Sequence, residues 1–127
     1  MAERRALVVE DDASIRNLLI RWITNFGYGV TAVASTDDAL AALERDVPHL
    51  IVADILMPGR NGLWLLRQVR ERWPTLPVVM VSGVQNEQMI LEAKQLGAVD
   101  FVPKPFAREM LFQAITRASS GEEESLS

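Results

Sequence analysis

Short apolar runs alternate with amphipathic segments five times along the chain. The apolar runs are "ALVVE", "YGVTAVA", "LIVAD", "PVVMVSG" and "AVDFV", and runs of this length are typical of strands buried in a parallel sheet. The segments that follow them carry apolar residues at intervals of three and four, which predicts helices with one buried face. These predicted helices span 13–26, 35–46, 61–73, 86–97 and 107–118.

Five strand and helix units joined by short connections indicate an α/β fold. We predict one doubly wound, five-stranded parallel sheet that is covered by helices on both faces. The length of 127 residues fits a single domain with one sheet at its centre.

Charge and composition exclude several classes of function. The formal net charge is −4, and three of the negative charges are consecutive glutamates at positions 122–124. The rest of the chain is close to neutral, which argues against a nucleic-acid surface. Cysteine is absent, so disulfides and thiolate metal sites are excluded. No stretch is long enough to cross a bilayer and the start is not a signal peptide, so we expect a soluble, cytoplasmic protein.

Three consecutive acids, Glu10, Asp11 and Asp12, follow the first predicted strand. Like charges this close together repel one another unless a positive group lies among them. Seen alone, such a run is also explained by capping, because acids near a helix N-terminus interact favourably with the helix dipole.

Polar residues also end the other buried strands. Asp54 ends the third strand, Ser82 ends the fourth, and Lys104 lies in the loop after the fifth. Each of them alone has an ordinary explanation as a turn or surface residue. In a doubly wound sheet, however, ligands bind at the carboxyl ends of the strands. We therefore predict that these residues share one pocket with the acids of the first strand.

The residue types in this predicted pocket indicate a chemistry. Carboxylates without histidine or cysteine partners form a hard oxygen site that suits Mg²⁺ or Mn²⁺, and such an ion relieves the repulsion among the acids. A carboxylate beside the ion can attack a phosphoryl group and become an acyl phosphate. An ammonium group and a hydroxyl group would then hold the phosphoryl oxygens.

Four motifs, in order and at the right strand ends, resemble the receiver domain of two-component response regulators. They are the acids of "VVEDD", the loop "DILMPGRNG", the "VSG" of the fourth strand and "VPKPF" after the fifth. The resemblance covers residues 4–118 and implies a flavodoxin-like fold with strand order 2-1-3-4-5. We expect the polar, acidic residues 119–127 to be a disordered tail.

The resemblance implies a role for each acid. Asp54 would accept the phosphoryl group and also contact the metal. Asp11 would bind Mg²⁺ directly and Glu10 through water, and the backbone carbonyl of Leu56 would supply a further ligand. Asp12 falls just after the usual acidic pair of the family, so we expect it beside the site or as the N-cap of the first helix.

The resemblance also assigns the groups that would surround the phosphoryl group. Ser82 would donate its hydroxyl and Lys104 its ammonium, and the peptide bond before Pro105 would be cis. The remaining residues expected to shape the site are Met57, Pro58, Gly62 and Gly83.

Signalling in the family implies a switch. Ser82 would shift toward the phosphate and Phe101 would swing inward, which changes the face formed by the fourth helix, fifth strand and fifth helix. Phe101 lacks a hydroxyl, so its output contact would be apolar. Leu56 offers no polar side chain to position an attacking water, so we expect slow hydrolysis of the acyl phosphate.

The implied partners are a sensor histidine kinase or a phosphotransfer protein, and a downstream output protein or domain. The helix 4, strand 5 and helix 5 face is also a candidate surface for a homodimer, and nothing resembles a DNA-binding helix-turn-helix. Three alternatives stay open: the receiver module of a longer DNA-binding or enzymatic regulator, a pseudo-receiver that only binds partners, and a magnesium-dependent phosphatase. The phosphatase would need a D-x-D pair that "VVEDDAS" lacks, so we do not expect an enzyme.

Overall fold

Strands and helices alternate through the computed structural model, which describes residues 3–57, 59–83 and 86–126. The strands are β1 (Arg4–Val9), β2 (Tyr28–Val33), β3 (Leu50–Ala53), β4 (Val78–Ser82) and β5 (Asp100–Pro103). The helices are α1 (Ala13–Asn25), α2 (Thr36–Arg45), α3 (Gly62–Arg72), α4 (Glu87–Gln95) and α5 (Arg108–Leu126). None of the described helices is long and apolar enough to cross a membrane.

The five strands form one parallel sheet in the order β2-β1-β3-β4-β5. Val9, the last residue of β1, pairs with Val33 on one side and with Ala53 on the other. Ser82 at the end of β4 pairs with Pro103 at the end of β5. The register therefore brings the carboxyl ends of neighbouring strands to one edge of the sheet, and the predicted fold and strand order are confirmed.

Alternate residues of each central strand face opposite layers of the core. Leu7 and Val9 belong to the cluster that is buried under α2, α3 and α4, whereas Ala6 and Val8 belong to the cluster under α1 and α5. Both faces of the sheet are thus covered, which explains why the central strands are apolar throughout rather than alternating.

The first four helices each begin at a polar side chain that accepts a hydrogen bond from a backbone N–H of the first turn. These N-caps are Asp12, Ser35, Asn61 and Asn86. The first helix ends before Gly27, whose φ of +100° reverses the chain at a cost that only glycine avoids. Of the two roles expected for Asp12, the structure shows the N-cap.

The last helix runs into the segment that we predicted to be a disordered tail, residues 119–127. The described backbone is helical as far as Leu126, and Ser127 lies outside the described residues. Ser119 is anchored to the sheet, because its hydroxyl contacts Arg4 Nη1 at 3.2 Å and Tyr28 Oη at 3.0 Å. The helix thus has a fixed turn from which to continue, and glutamate is a good helix former. A polar composition alone did not reveal that anchor.

Candidate functional site

The sheet places three buried polar side chains at the carboxyl ends of its strands. Glu10 directly follows β1, Asp54 directly follows β3, and Ser82 ends β4; they are 1%, 5% and 0% exposed. Backbone bonds hold these ends in place, since Glu10 N donates to Val33 O and Asp54 N donates to Val9 O, both at 3.0 Å. The strand ends that the sequence predicted therefore do come together.

Lys104 joins two of the acids. Its Nζ lies 2.8 Å from Glu10 Oε1 and 2.8 Å from Asp54 Oδ2, and its side chain is 17% exposed. Burial by itself lowers the pKa of Lys104, but the hydrogen bonds to Asp54 and Glu10 outweigh it, and the net pKa is raised. The ammonium therefore stays charged between the two carboxylates.

For Glu10, burial outweighs the hydrogen bonds in setting the pKa of the carboxyl. Burial raises the pKa of its carboxyl, and the hydrogen bonds from Lys104 and from the Asp12 N–H lower it less than burial raises it. The nearby charge of Asp54 also raises this pKa. One ammonium does not neutralise the acids, so the pocket still favours a further cation.

The carboxylates fit a small divalent ion. Glu10, Asp11 and Asp54 each offer an oxygen atom, and these atoms lie within 4.8 Å of one another. A set of oxygen donors without nitrogen or sulfur suits Mg²⁺ or Mn²⁺. Asp11 is exposed, so solvent reaches the site from its side.

The loop after Asp54 returns at Gly62 to pack closely against the backbone of Asp54 and Ile55. Leu56 N donates to Asp54 Oδ1 at 3.2 Å, while the side chain of Leu56 is 52% exposed. Gly62 N donates to Ile55 O at 2.8 Å, and a Cβ at Gly62 would overlap the carbonyl oxygen of Asp54. Met57 is buried in the core, and Pro58, which we predicted to shape this loop, lies outside the described residues.

The end of β5 is tied to the end of β4. Lys104 N donates to Ser82 O at 2.9 Å, and the peptide bond between Lys104 and Pro105 is cis, as the resemblance implied. Gly83 is exposed, and a Cβ added there would meet Lys104 Cβ at 4.0 Å, which is ordinary contact. Gly83 therefore leaves room for one more methyl group beside the lysine stem.

Phe101 lies within β5 and is partly buried against the cluster under α2, α3 and α4. At the amino ends of the strands, the His49 ring accepts a hydrogen bond from Arg5 N at 3.0 Å. His49 is thus a structural residue outside the pocket.

Two arginines with structural contacts were missed in the sequence. Arg16 Nη1 donates to the carbonyls of Glu10 and Asp11 at 2.9 and 3.2 Å. Arg70 donates to three carbonyls beyond the other end of the sheet: Leu96, Pro74 and Leu76. The signal for Arg16 was a basic residue in the first turn of a helix, where the dipole disfavours positive charge, directly after three acids.

Comparison with known proteins agrees with this geometry. The sequence matches the family described as the response regulator receiver domain over residues 6–116. The chain belongs to this family. The receiver fold of the chain is also shared by solved structures: the receiver domain of NtrX from Brucella abortus has a TM-score of 0.84 and 36% identity, covering 89% of this chain and 96% of that one.

Two further similar proteins differ in how much of their own length this chain covers. A CheY-like receiver domain protein from Methanospirillum hungatei has a TM-score of 0.91 at 26% identity, covering 97% of this chain and 99% of that one. The DNA-binding transcriptional regulator NtrC of Klebsiella pneumoniae is 38% identical over 119 residues, which is 94% of this receiver and 25% of that protein. The receiver thus spans about a quarter of the length of that relative.

Proposed function

We propose that this receiver accepts a phosphoryl group on Asp54, in a magnesium-dependent transfer from the histidine of a sensor kinase or of a phosphotransfer protein. The arrangement of Asp54 supports this proposal best. Its carboxylate lies at the strand end where this fold binds ligands, in contact with the ammonium of Lys104 and close to the acids Glu10 and Asp11.

The transfer is a single displacement at phosphorus. An oxygen of Asp54 attacks the phosphorus atom, the bond from phosphorus to the donor imidazole nitrogen breaks, and its electron pair stays on that nitrogen. Lys104 and Ser82 would hold the phosphoryl oxygens; the contact of Lys104 Nζ with Asp54 Oδ2 and the position of Ser82 at the end of the neighbouring strand support these roles. A bound Mg²⁺ would supply positive charge for these oxygens, and Glu10, Asp11, Asp54 and the Leu56 carbonyl would hold it.

The phosphoryl group would then shift an equilibrium between two states. We propose Ser82 and Phe101 as the residues that couple the site to the α4, β5 and α5 face, which would contact an output partner or a second copy of the chain. Partial burial of Phe101 against the core supports an apolar contact in the inward state.

The longer relatives bear on which part of a regulator would carry its output function. Coverage of a quarter of NtrC supports the alternative in which residues 4–118 are the receiver module of a longer regulator. DNA binding, which the name of NtrC records, would then belong to other segments of such a regulator. A cytoplasmic location and dimerisation stay predictions.

The test is phosphorylation by a small donor. Wild type and Asp54→Ala are incubated with acetyl phosphate, with Mg²⁺ or with EDTA, and their intact masses are compared. We expect one phosphoryl group on the wild type, lost in the variant and in EDTA. Asp37→Ala, an exposed acid of α2, is the control and should behave as wild type. An unmodified wild type, with an active donor and a folded protein, would support a pseudo-receiver instead.

A further inference from the structure

We propose that Arg16 is a positioning residue for the metal-binding carboxylate of Asp11. One nitrogen of its guanidinium, Nη1, donates to Glu10 O at 2.9 Å and to Asp11 O at 3.2 Å. These carbonyls belong to the two peptide groups on either side of the Asp11 Cα atom. Arg16 therefore holds both peptide planes that set the direction of the Asp11 side chain. The inference rests on the proposed function, because it concerns the same metal site.

The backbone carries this role because little else orients Asp11. Among residues 3–57, 59–83 and 86–126, no hydrogen bond or ion pair reaches the Asp11 carboxylate. Its neighbours are held directly: Glu10 bonds Lys104, and Asp12 caps α1 through Ile15 N at 3.0 Å. The second peptide plane is bound at both ends, since its N–H at Asp12 donates to Glu10 Oε2 at 3.1 Å.

Arg16 is attracted by the acids Glu10, Asp11 and Asp12, whereas the helix dipole opposes its charge. It lies in the first turns of α1, where the helix dipole disfavours positive charge, and that turn holds no acidic residue. A cation would bind to the acids that Arg16 supports, so the arginine charge also repels the metal. The two carbonyl contacts fix where the guanidinium lies.

Positioning and charge predict opposite effects on metal affinity. If Arg16 acted through its charge alone, its removal would tighten binding of a divalent cation. If it holds Asp11 in place, its removal weakens binding, on the order of tenfold, as for other groups that orient metal ligands. The sign of the change in Kd therefore decides between them.

The test is a titration of the intact protein with Mn²⁺, followed by the electron paramagnetic resonance signal of the free ion. Arg16→Met is compared with Arg21→Met, which removes the same charge from an exposed position of α1. Arg70→Met removes three carbonyl contacts far from the site and controls for lower stability. Thermal unfolding of each variant fixes a temperature at which all are folded.

We expect a Kd for Mn²⁺ about tenfold higher in Arg16→Met, and unchanged within about twofold in the two control variants. Arg16→Lys keeps the charge but has a shorter reach and no planar guanidinium, so it should also bind more weakly than wild type. A Kd for Arg16→Met that equals or falls below that of Arg21→Met overturns the proposal. Should wild type itself bind Mn²⁺ no better than an Asp54→Ala variant, the proposed function fails rather than the role of Arg16.

Discussion

Replacing Lys104 with methionine leaves the buried carboxylates of Glu10 and Asp54 without their shared cation. Both acids are at most 5% exposed, and each receives a 2.8 Å hydrogen bond from the same Nζ. Methionine has a similar length and no charge, so the change removes the ion pairs while it keeps most of the packing.

The cost of leaving Glu10 unpaired has an upper limit, because its carboxyl can take up a proton instead of staying charged. The ordinary pKa of a glutamate is 4.5, so protonating Glu10 at pH 7 costs about 3.4 kcal/mol, at about 1.4 kcal/mol per pH unit. At pH 5 the same proton costs about 0.7 kcal/mol. A group with a raised pKa in the folded state contributes stability below its unfolded pKa and loses it as the pH rises. The destabilisation by Lys104→Met should therefore grow with pH.

The assay is urea unfolding in EDTA at pH 5 and pH 7. We expect Lys104→Met to lose about 2–3 kcal/mol of unfolding free energy at pH 7 and less than about 1 kcal/mol at pH 5. Lys94→Met, the same substitution at an exposed site of α4, should change stability by less than about 0.5 kcal/mol at both pH values. An equal loss at both pH values, or no loss at pH 7, would refute the ion-pair reasoning.

Three substitutions test the loops around the site. Gly62→Ala should destabilise by more than about 2 kcal/mol in urea unfolding, because its Cβ would overlap the Asp54 carbonyl; a neutral result would contradict the close fit. Gly83→Ala, where the nearest atom is Lys104 Cβ at 4.0 Å, should instead gain about 0.4–1 kcal/mol, and a loss would show that the loop needs glycine. Leu56→Asn should shorten the lifetime of the acyl phosphate, followed by intact mass, because an amide would replace an exposed apolar group beside Asp54; an unchanged lifetime would count against water positioning there.

The sequence predicted the fold well because the sheet is parallel and covered on both faces. Its strands are continuous apolar runs, and the first residue after each run marks the carboxyl end of a strand. Since all these ends meet at one edge, the positions of Glu10, Asp54 and Lys104 along the chain were enough to place them in one pocket. The acids and the lysine were therefore identified before any distance was known.

Contacts that depend on the turns were not predictable in the same way. Arg16 reaches the carbonyls of Glu10 and Asp11 only because the chain between β1 and α1 makes a specific turn. The contact of Ser119 with Tyr28 depends on how α5 lies against the sheet, which composition does not show. Side chain to backbone contacts of this kind leave no periodic pattern in a sequence.

The most direct test of the central claim is to identify the residue that carries the phosphoryl group. The phosphorylated protein is reduced with borohydride, which converts an aspartyl phosphate to homoserine, and the peptides are sequenced by mass spectrometry. Our account predicts homoserine at position 54 in the sample prepared with Mg²⁺, and none in the sample prepared with EDTA. Reduction at Asp11, or a phosphoryl group that resists borohydride, would contradict the assignment of Asp54 as the phosphoacceptor.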